Sequence, residues 1–296
     1  MTLNTRITDR LATGVLWLLA AAVVVLLLTI IAHLLLAAAG TLNLSFVFGD
    51  PSDTSLGGVG PILWNSFYML VLTMLITVPL GLLAGIYMAE YAGVGRLTNA
   101  IRFAQETIGA VPSIVVGLFG LILFVDAFHL GFSALAGSLA LTIFNLPLMA
   151  RLAEQAIRAV PDDERSGSLA LGSTKWQTIR HVVLPLAIPG LVTGIIVTSG
   201  RIFGEAAALL FTAGLGTPDH YDFTNLNVLD PRSPWSPLRP ATTLAVYIWK
   251  TNSEGLGQFV TQIADGASAI LVIAVLIFNL GARLLGRLLT RRLTAA

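Results

Sequence analysis

The chain has 296 residues, 55% of them hydrophobic and only 11% charged, and its mean hydropathy is +0.83. Soluble domains carry roughly a quarter of their residues as charges, so this chain cannot clothe itself in a solvated surface. Its net charge of +1 gives no pull toward nucleic acid, and the absence of cysteine excludes disulfides and thiolate metal sites. Its four histidines are scattered without metal-ligand spacing. Several apolar runs long enough to cross a bilayer indicate an all-α integral membrane protein, and the short alternating segments of a β-barrel are missing.

In chain order, Met1 to Arg10 is short and basic, and an apolar run follows from Leu11 to Ala39. A signal peptide's apolar core is ~7–15 residues, so this longer run reads as a first span that stays attached. With the Gly/Ser/Asp-rich loop after it, it fills residues 1–60. A core of five further helices is expected over 61–290. The second span runs from about Pro61 to Tyr91. A third, about 97–127, contains Pro112 and several glycines, which predict a kink or break. The fourth covers about 132–158. A polar loop over 159–185 precedes the fifth span, expected at about 186–213 and opened by Pro185. A long Pro/Asp/Asn-rich loop fills 214–255, and the sixth span covers about 262–290, followed by a tail at 291–296.

Basic residues fix the orientation expected for these six spans. Arg6, Arg10, Arg96, Arg102, Arg151, Arg158, Arg165, Lys175 and Arg180 fall on one side, with Arg283, Arg287, Arg291 and Arg292. Arg232, Arg239 and Lys250 fall on the other. Both termini and the 159–185 loop are therefore expected in the cytoplasm. Trp64, Tyr247 and Trp249 fall near the outer interface, where amphipathic rings are favoured, although each could equally pack inside. Glu90, Glu106 and Asp126 fall near span ends, where snorkelling or interfacial water is the ordinary explanation.

The cytoplasmic stretch reads "AVPDDERSGSLALGSTKWQTIRHVVLPLAIPG". Pro161 suits a helix's first position, and Asp162, Asp163 and Glu164 complement its positive end. Gly172 is a natural stop, and Ser173 or Thr174 can cap a second short helix. That helix carries Trp176, Ile179 and Val183 on one face. Two short helices hinged at a glycine suit another protein's groove, or else a connector packed on its own bundle.

The fifth span holds "SGRIFGEAAALLF", which places Arg201 and Glu205 four residues apart inside an apolar run. At ~1.5 Å rise per residue, Arg201 sits some 22 Å into that span. An arginine at that depth costs about 2.5–3.5 kcal/mol by insertion scales. A shared helix face would allow a structural ion pair. Against it, Arg before Glu is the weaker helical order, and a pair kept for neutrality is replaceable by apolar residues. The favoured reading is a substrate-pathway contact: a guanidinium grips an oxyanion bidentately, and Glu205 competes for Arg201 so that transit is not a trap.

The loop resembles the coupling loop of ABC-importer permeases, in which Glu-Ala-Ala is followed after three residues by Gly and later by hydrophobic-x-Leu-Pro. Gly172, Val182, Leu184 and Pro185 match, whereas Ser166, Gly167 and Ser168 stand where Glu-Ala-Ala would be. "PLGLLAGIYMAEYA" (79–92), "VPSIVVGLFGL" (111–121), "SGRIFGEAAALLFTAG" (199–214) and "TLAVYIW" (243–249) resemble the phosphate (Pst) permeases, PstA more than PstC. The resemblance implies a type I importer permease (MetI-like) fold with six spans in a bacterial inner membrane, forming half of a phosphate pathway. It also implies a PstB-like ATPase dimer, a PstC-like sister permease and a PstS-like phosphate-binding protein as partners, with lipid around the spans. Leu169, Leu171, Gly172, Trp176, Ile179, Val183 and Pro185 would dock the ATPase.

The chain lacks the G-x-x-x-x-G-K-[ST] loop, so no bound cofactor is expected here, and the ATP and Mg would belong to the partner ATPase. The outer loop, with Asp219, Asp222, Asp230 and its prolines, is a docking surface or an ordinary solvated loop. A sulfate or molybdate permease, an ion-driven secondary transporter and a membrane enzyme are the alternatives. The secondary transporter would normally show two related halves, which are not evident. The enzyme would need a catalytic grouping that the sequence does not offer.

Overall fold

The computed structural model describes residues 2–52, 56–93, 95–218, 220–255 and 259–294, and the side chains of 2–7 and 289–294 lie outside that description. Every regular element among the described residues is helical. Five helices are long and apolar enough to cross a membrane: Thr8–Ala37, Gly60–Tyr91, Ala134–Arg158, Lys175–Phe203 and Val260–Leu288. The third expected span, which would bring the number to six, is a broken pair. Helix α4 (Arg96–Ala110) and helix α5 (Ser113–Gly120, continued by a π-helical stretch Leu121–Ala127) meet at 97°. Val111 and Pro112 sit at the corner with extended ψ values of 132° and 135°. Proline pushes the residue before it out of the helical region, so the kink expected there is a right-angle turn.

Helix α1 (Thr2–Ala37) buries none of its most apolar stretch and touches the bundle through α12 (Val260–Thr294). A short α2 (Leu44–Phe48), capped by the Asn43 side chain, plants Phe46 in a core at one end of the bundle, beside Val59, Ile62 and Leu244. Pro61 lies in the first turn of α3 (Gly60–Ile86), where its missing N–H costs nothing.

At the centre stands α6 (Ala134–Arg158), between α3 and α9 (Leu184–Phe203). In lipid no hydrophobic gain separates helix contact from lipid contact, so close backbone approach carries the association. Small residues provide it on both sides of α6. A Cβ on Gly85 of α3 would lie 2.5 Å from the Ala153 Cβ and 2.9 Å from the Glu154 nitrogen. A Cβ on Gly190 of α9 would lie 2.7 Å from the Ala156 Cβ.

The 159–185 stretch forms α7 (Asp162–Ala170) and α8 (Lys175–Thr178) around Gly172, whose φ of +88° is one that glycine adopts without strain. Pro161 stands at the N-cap position of α7, just outside its first turn, and makes no side-chain capping bond. Thr174 caps α8 in a reciprocal box with Gln177. One expectation is corrected here. Pro185 does not open a new helix, because α8, a π turn (Ile179–Val183) and α9 form one rod from Lys175 to Phe203. A proline lacks the N–H and crowds the carbonyl four residues earlier, and the wider π turn just before it absorbs both. The fifth span also ends early, at Phe203, and a short α10 (Ala207–Leu210) follows. Helix α11 (Leu244–Glu254) precedes α12.

Gly85→Val drives a methyl group into α6 backbone and should destabilise the bundle by about 1–3 kcal/mol. Thermal unfolding in detergent measures it, with Gly14→Val, where nothing lies within 4 Å, expected to melt like the parent.

Candidate functional site

A cavity of about 470 Å³ opens between α4, α6 and the end of α9. Arg102 and Glu106 of α4, Arg151 and Glu154 of α6, and Arg201 of α9 all line it, beside Pro147 and Leu148. Three guanidinium groups thus face two carboxylates. The Arg201 guanidinium stands 3.9 Å over the Phe144 ring, a cation–π contact that offsets part of its burial. Among the described residues, no ion pair or hydrogen bond engages the side chain of Arg201 or Arg151. Arg102 is held, donating from Nη2 to Glu154 Oε1 at 2.6 Å. Arg158 donates to the same oxygen at 2.9 Å and to the Met88 carbonyl at 3.0 Å.

Glu205 is not Arg201's partner. Helix α9 stops at Phe203 with Gly204 as its cap, so the shared face needed for an i, i+4 pair does not exist. The Glu205 carboxylate instead accepts the Ala208 N–H at 3.4 Å. The sequence missed Arg102, Arg151 and Glu154 as site residues, since basic residues beyond a span's centre count first as interfacial charge. The available signal was Glu154 in the last turns of the fourth span, with Arg151 three residues before it and Arg158 four after it.

The docking residues divide. Leu171 is 90% exposed, Trp176 51% and Leu169 48%, and Gly172 and Pro185 are exposed too. Ile179 and Val183 are buried against Ile86, Ile157 and Ala187, so they fasten the rod to the bundle and present nothing to a partner. The helical face that suggested docking is two-sided, because the rod lies along the bundle rather than away from it. Cations pin this end further. Arg165 donates to Glu90 Oε1 at 3.1 Å, to the Ile157 carbonyl at 2.7 Å and to Asp162 at 3.0 Å. Lys175 Nζ donates to the Glu90 carbonyl and lies 4.7 Å from the Tyr91 ring. Positive groups at the end of α3 satisfy carbonyls that no further turn could. Glu90, read from sequence as an interfacial charge, is thus the anchor of the loop.

At the opposite end, the 214–243 loop is ordered by its own side chains. Asp222 accepts from the Thr224 N–H and hydroxyl at 2.9 and 2.6 Å, and Asp230 from the Arg232 N–H at 2.9 Å. These bonds hold both carboxyls below the ordinary aspartate value, so the turns lose them only as pH falls through that lowered range. Asp219 lies outside the described residues. Arg239 is fully buried, donating to Asn65 Oδ1 at 2.7 Å, the Tyr221 hydroxyl at 2.5 Å and the Pro234 carbonyl at 2.9 Å. Burial lowers its pKa, and burial raises that of Tyr221 despite the adjacent guanidinium. Leu226 and Leu229 project from this loop, each 73% exposed.

A helical bundle of membrane-spanning length, with a charged cavity and an exposed helical loop at one end, fits a membrane permease subunit. The chain belongs to the family described as "Binding-protein-dependent transport system inner membrane component", whose model matches residues 81–295. It is thus a transport subunit of an ABC importer, in which a separate ATPase hydrolyses ATP. It is 47% identical over 294 residues to the probable ABC transporter permease protein YqgI of Bacillus subtilis, covering 99% of this chain and 100% of that one. It is 34% identical over 236 residues to the phosphate transport system permease protein PstA 1 of Mycobacterium tuberculosis, covering 80% and 73%. The fold matches a chain of a bacterial alginate ABC transporter with a TM-score of 0.61 at 15% identity, over 93% of this chain and 95% of that one. It also matches a chain of the MetNI methionine transporter, at 0.57 and 18% identity, over 78% and 94%.

Arg239→Lys removes the planar fork that serves three acceptors at once. The 217–243 loop should then exchange its amide hydrogens on the order of tenfold faster, the scale of one charge-assisted hydrogen bond. Hydrogen exchange on the purified protein checks this.

Proposed function

We propose that the chain forms half of an inward path for inorganic phosphate, and that its cavity is where the anion meets this subunit. The observation that carries this is the pairing state of the cavity's cations: Arg201 and Arg151 face it with no carboxylate of their own among the described residues. Arg201 is half-buried and Arg151 exposed, so the cost of a guanidinium without a carboxylate falls chiefly on Arg201, and a visiting anion would offset it. Phosphate carries between one and two negative charges near neutral pH, and its tetrahedral oxygens suit bidentate donors. The relatives named as phosphate permeases support phosphate over sulfate or molybdate as the cargo.

The remaining assignments are supported by the charge distribution, by the exposed surfaces and by the resemblance to phosphate permeases. The basic end, with the 159–185 loop and both termini, faces the cytoplasm. Leu169, Leu171, Gly172, Trp176 and Pro185 present the surface for a PstB-like ATPase dimer, which supplies the ATP and Mg chemistry. A PstC-like sister permease completes the path. The ordered 214–243 loop receives a PstS-like phosphate-binding protein on its exposed leucines. Closure of the ATPase dimer moves α7 and α8. Because Lys175–Phe203 is one rod, that movement reaches Arg201 without an intervening joint.

Two measurements test this in the full importer reconstituted in proteoliposomes. Arg201→Gln should abolish uptake of radiolabelled phosphate while the complex still assembles, and excess sulfate should not compete with the parent. Normal uptake by Arg201→Gln overturns the assignment. Trp176→Ala should leave ATP hydrolysis in place but separate it from uptake, and an unchanged ratio of phosphate moved to ATP hydrolysed overturns the docking role.

A further inference from the structure

Glu154 stands out once the cavity is read as an anion path. Its side chain is 8% exposed, yet it lines the same cavity as three arginines. One of its oxygens serves two guanidiniums that differ in how firmly they are held. Arg158 is on the same helix one turn later, in the favourable order with the acid first, and is anchored a second time on the Met88 carbonyl. Arg102 comes from α4, a helix with no buried residue that packs against α6, and its own side chain is 44% exposed.

We propose that Glu154 is the anion's competitor: its carboxylate and the transported phosphate take turns on Arg102. This rests on the reading of the cavity as the phosphate path. With the cavity empty, Glu154 neutralises Arg102. When phosphate arrives at Arg201 and Arg151, Arg102 turns from the carboxylate to the phosphate oxygens and becomes a further cation of the site. Glu154 is not orphaned by this, because Arg158 remains on it. Return of Arg102 to Glu154 then weakens the grip on the anion at the time it must leave. A buried carboxylate left without a partner would be strongly destabilised, and the double attachment of Glu154 removes that cost from the exchange. The competitor that the sequence assigned to Glu205 is thus supplied from another helix.

The test uses the full importer complex with radiolabelled inorganic phosphate and compares Glu154→Gln, Glu154→Asp and Arg201→Gln. Glutamine keeps the shape and an acceptor oxygen but not the charge, so Arg102 stays with the phosphate. Uptake by Glu154→Gln should fall on the order of tenfold, while the purified complex retains phosphate more tightly by a similar factor, the scale of one charge-assisted hydrogen bond. Glu154→Asp should restore most of the uptake.

Reduced uptake with unchanged phosphate retention makes Glu154 a structural partner and overturns the proposal. Normal uptake by Glu154→Gln, with Arg201→Gln inactive, overturns it and leaves the phosphate path standing. Normal uptake by Arg201→Gln removes the path reading itself.

Discussion

A charge held away from water must have a partner, and the architecture follows from how each one is found. Arg239 is wholly buried and answers with side-chain and backbone oxygens gathered from α3 and its own loop. Arg165 finds a carboxylate and carbonyls at the ends of α3 and α6. Glu154 finds two arginines. Each of these ties together segments that are distant in sequence. Half-buried Arg201 departs from the pattern among the described residues, and it does so in a cavity that it shares with the exposed Arg151. Structural charges are satisfied by the fold, whereas a charge that serves a passing ion must be left partly unsatisfied by it.

The same bundle explains how a movement at the loop can be felt in the membrane. Glycine-mediated contact holds α3, α6 and α9 too close to slide independently. The π turn at Ile179–Val183 lets one rod carry both Trp176, which is exposed at one end, and Arg201, which faces the cavity near the other. Ile179 and Val183 fix that rod to α3 and α6, while Lys175 and Arg165 fix the loop to Glu90 in the π-helical stretch Tyr87–Tyr91 that continues α3. The loop is therefore a rigid extension of the bundle with one apolar surface left open.

Much of this was legible in order. Apolar run length gave the first, second, fourth and sixth spans to within a few residues, since hydrocarbon thickness sets helix length directly, whereas the fifth runs from Lys175 to Phe203, about ten residues earlier than expected, and the third is broken at Pro112. Gly172 and Thr174 marked the loop's turn and cap, because backbone conformation and orphan N–H groups are local matters. Arg201 stood out because a cation in an apolar run is anomalous in any fold. Glu205 was paired with it by counting four residues along an unbroken helix, and the helix ends at Phe203. Arg102 and Arg151 were counted as interfacial, because sequence distance from a span's end does not show which charges converge on a cavity.

By itself the sequence determined that the chain must lie in a membrane, which end carries the basic residues, and where the backbone turns. These are properties of composition and of neighbours a few residues apart, and they need no tertiary contact. The tertiary structure alone decided which charges neutralise one another and which remain free. Electrostatic pairing acts over a few ångströms in space, and Arg102 meets Glu154 only because α4, turned at Pro112, is laid against α6.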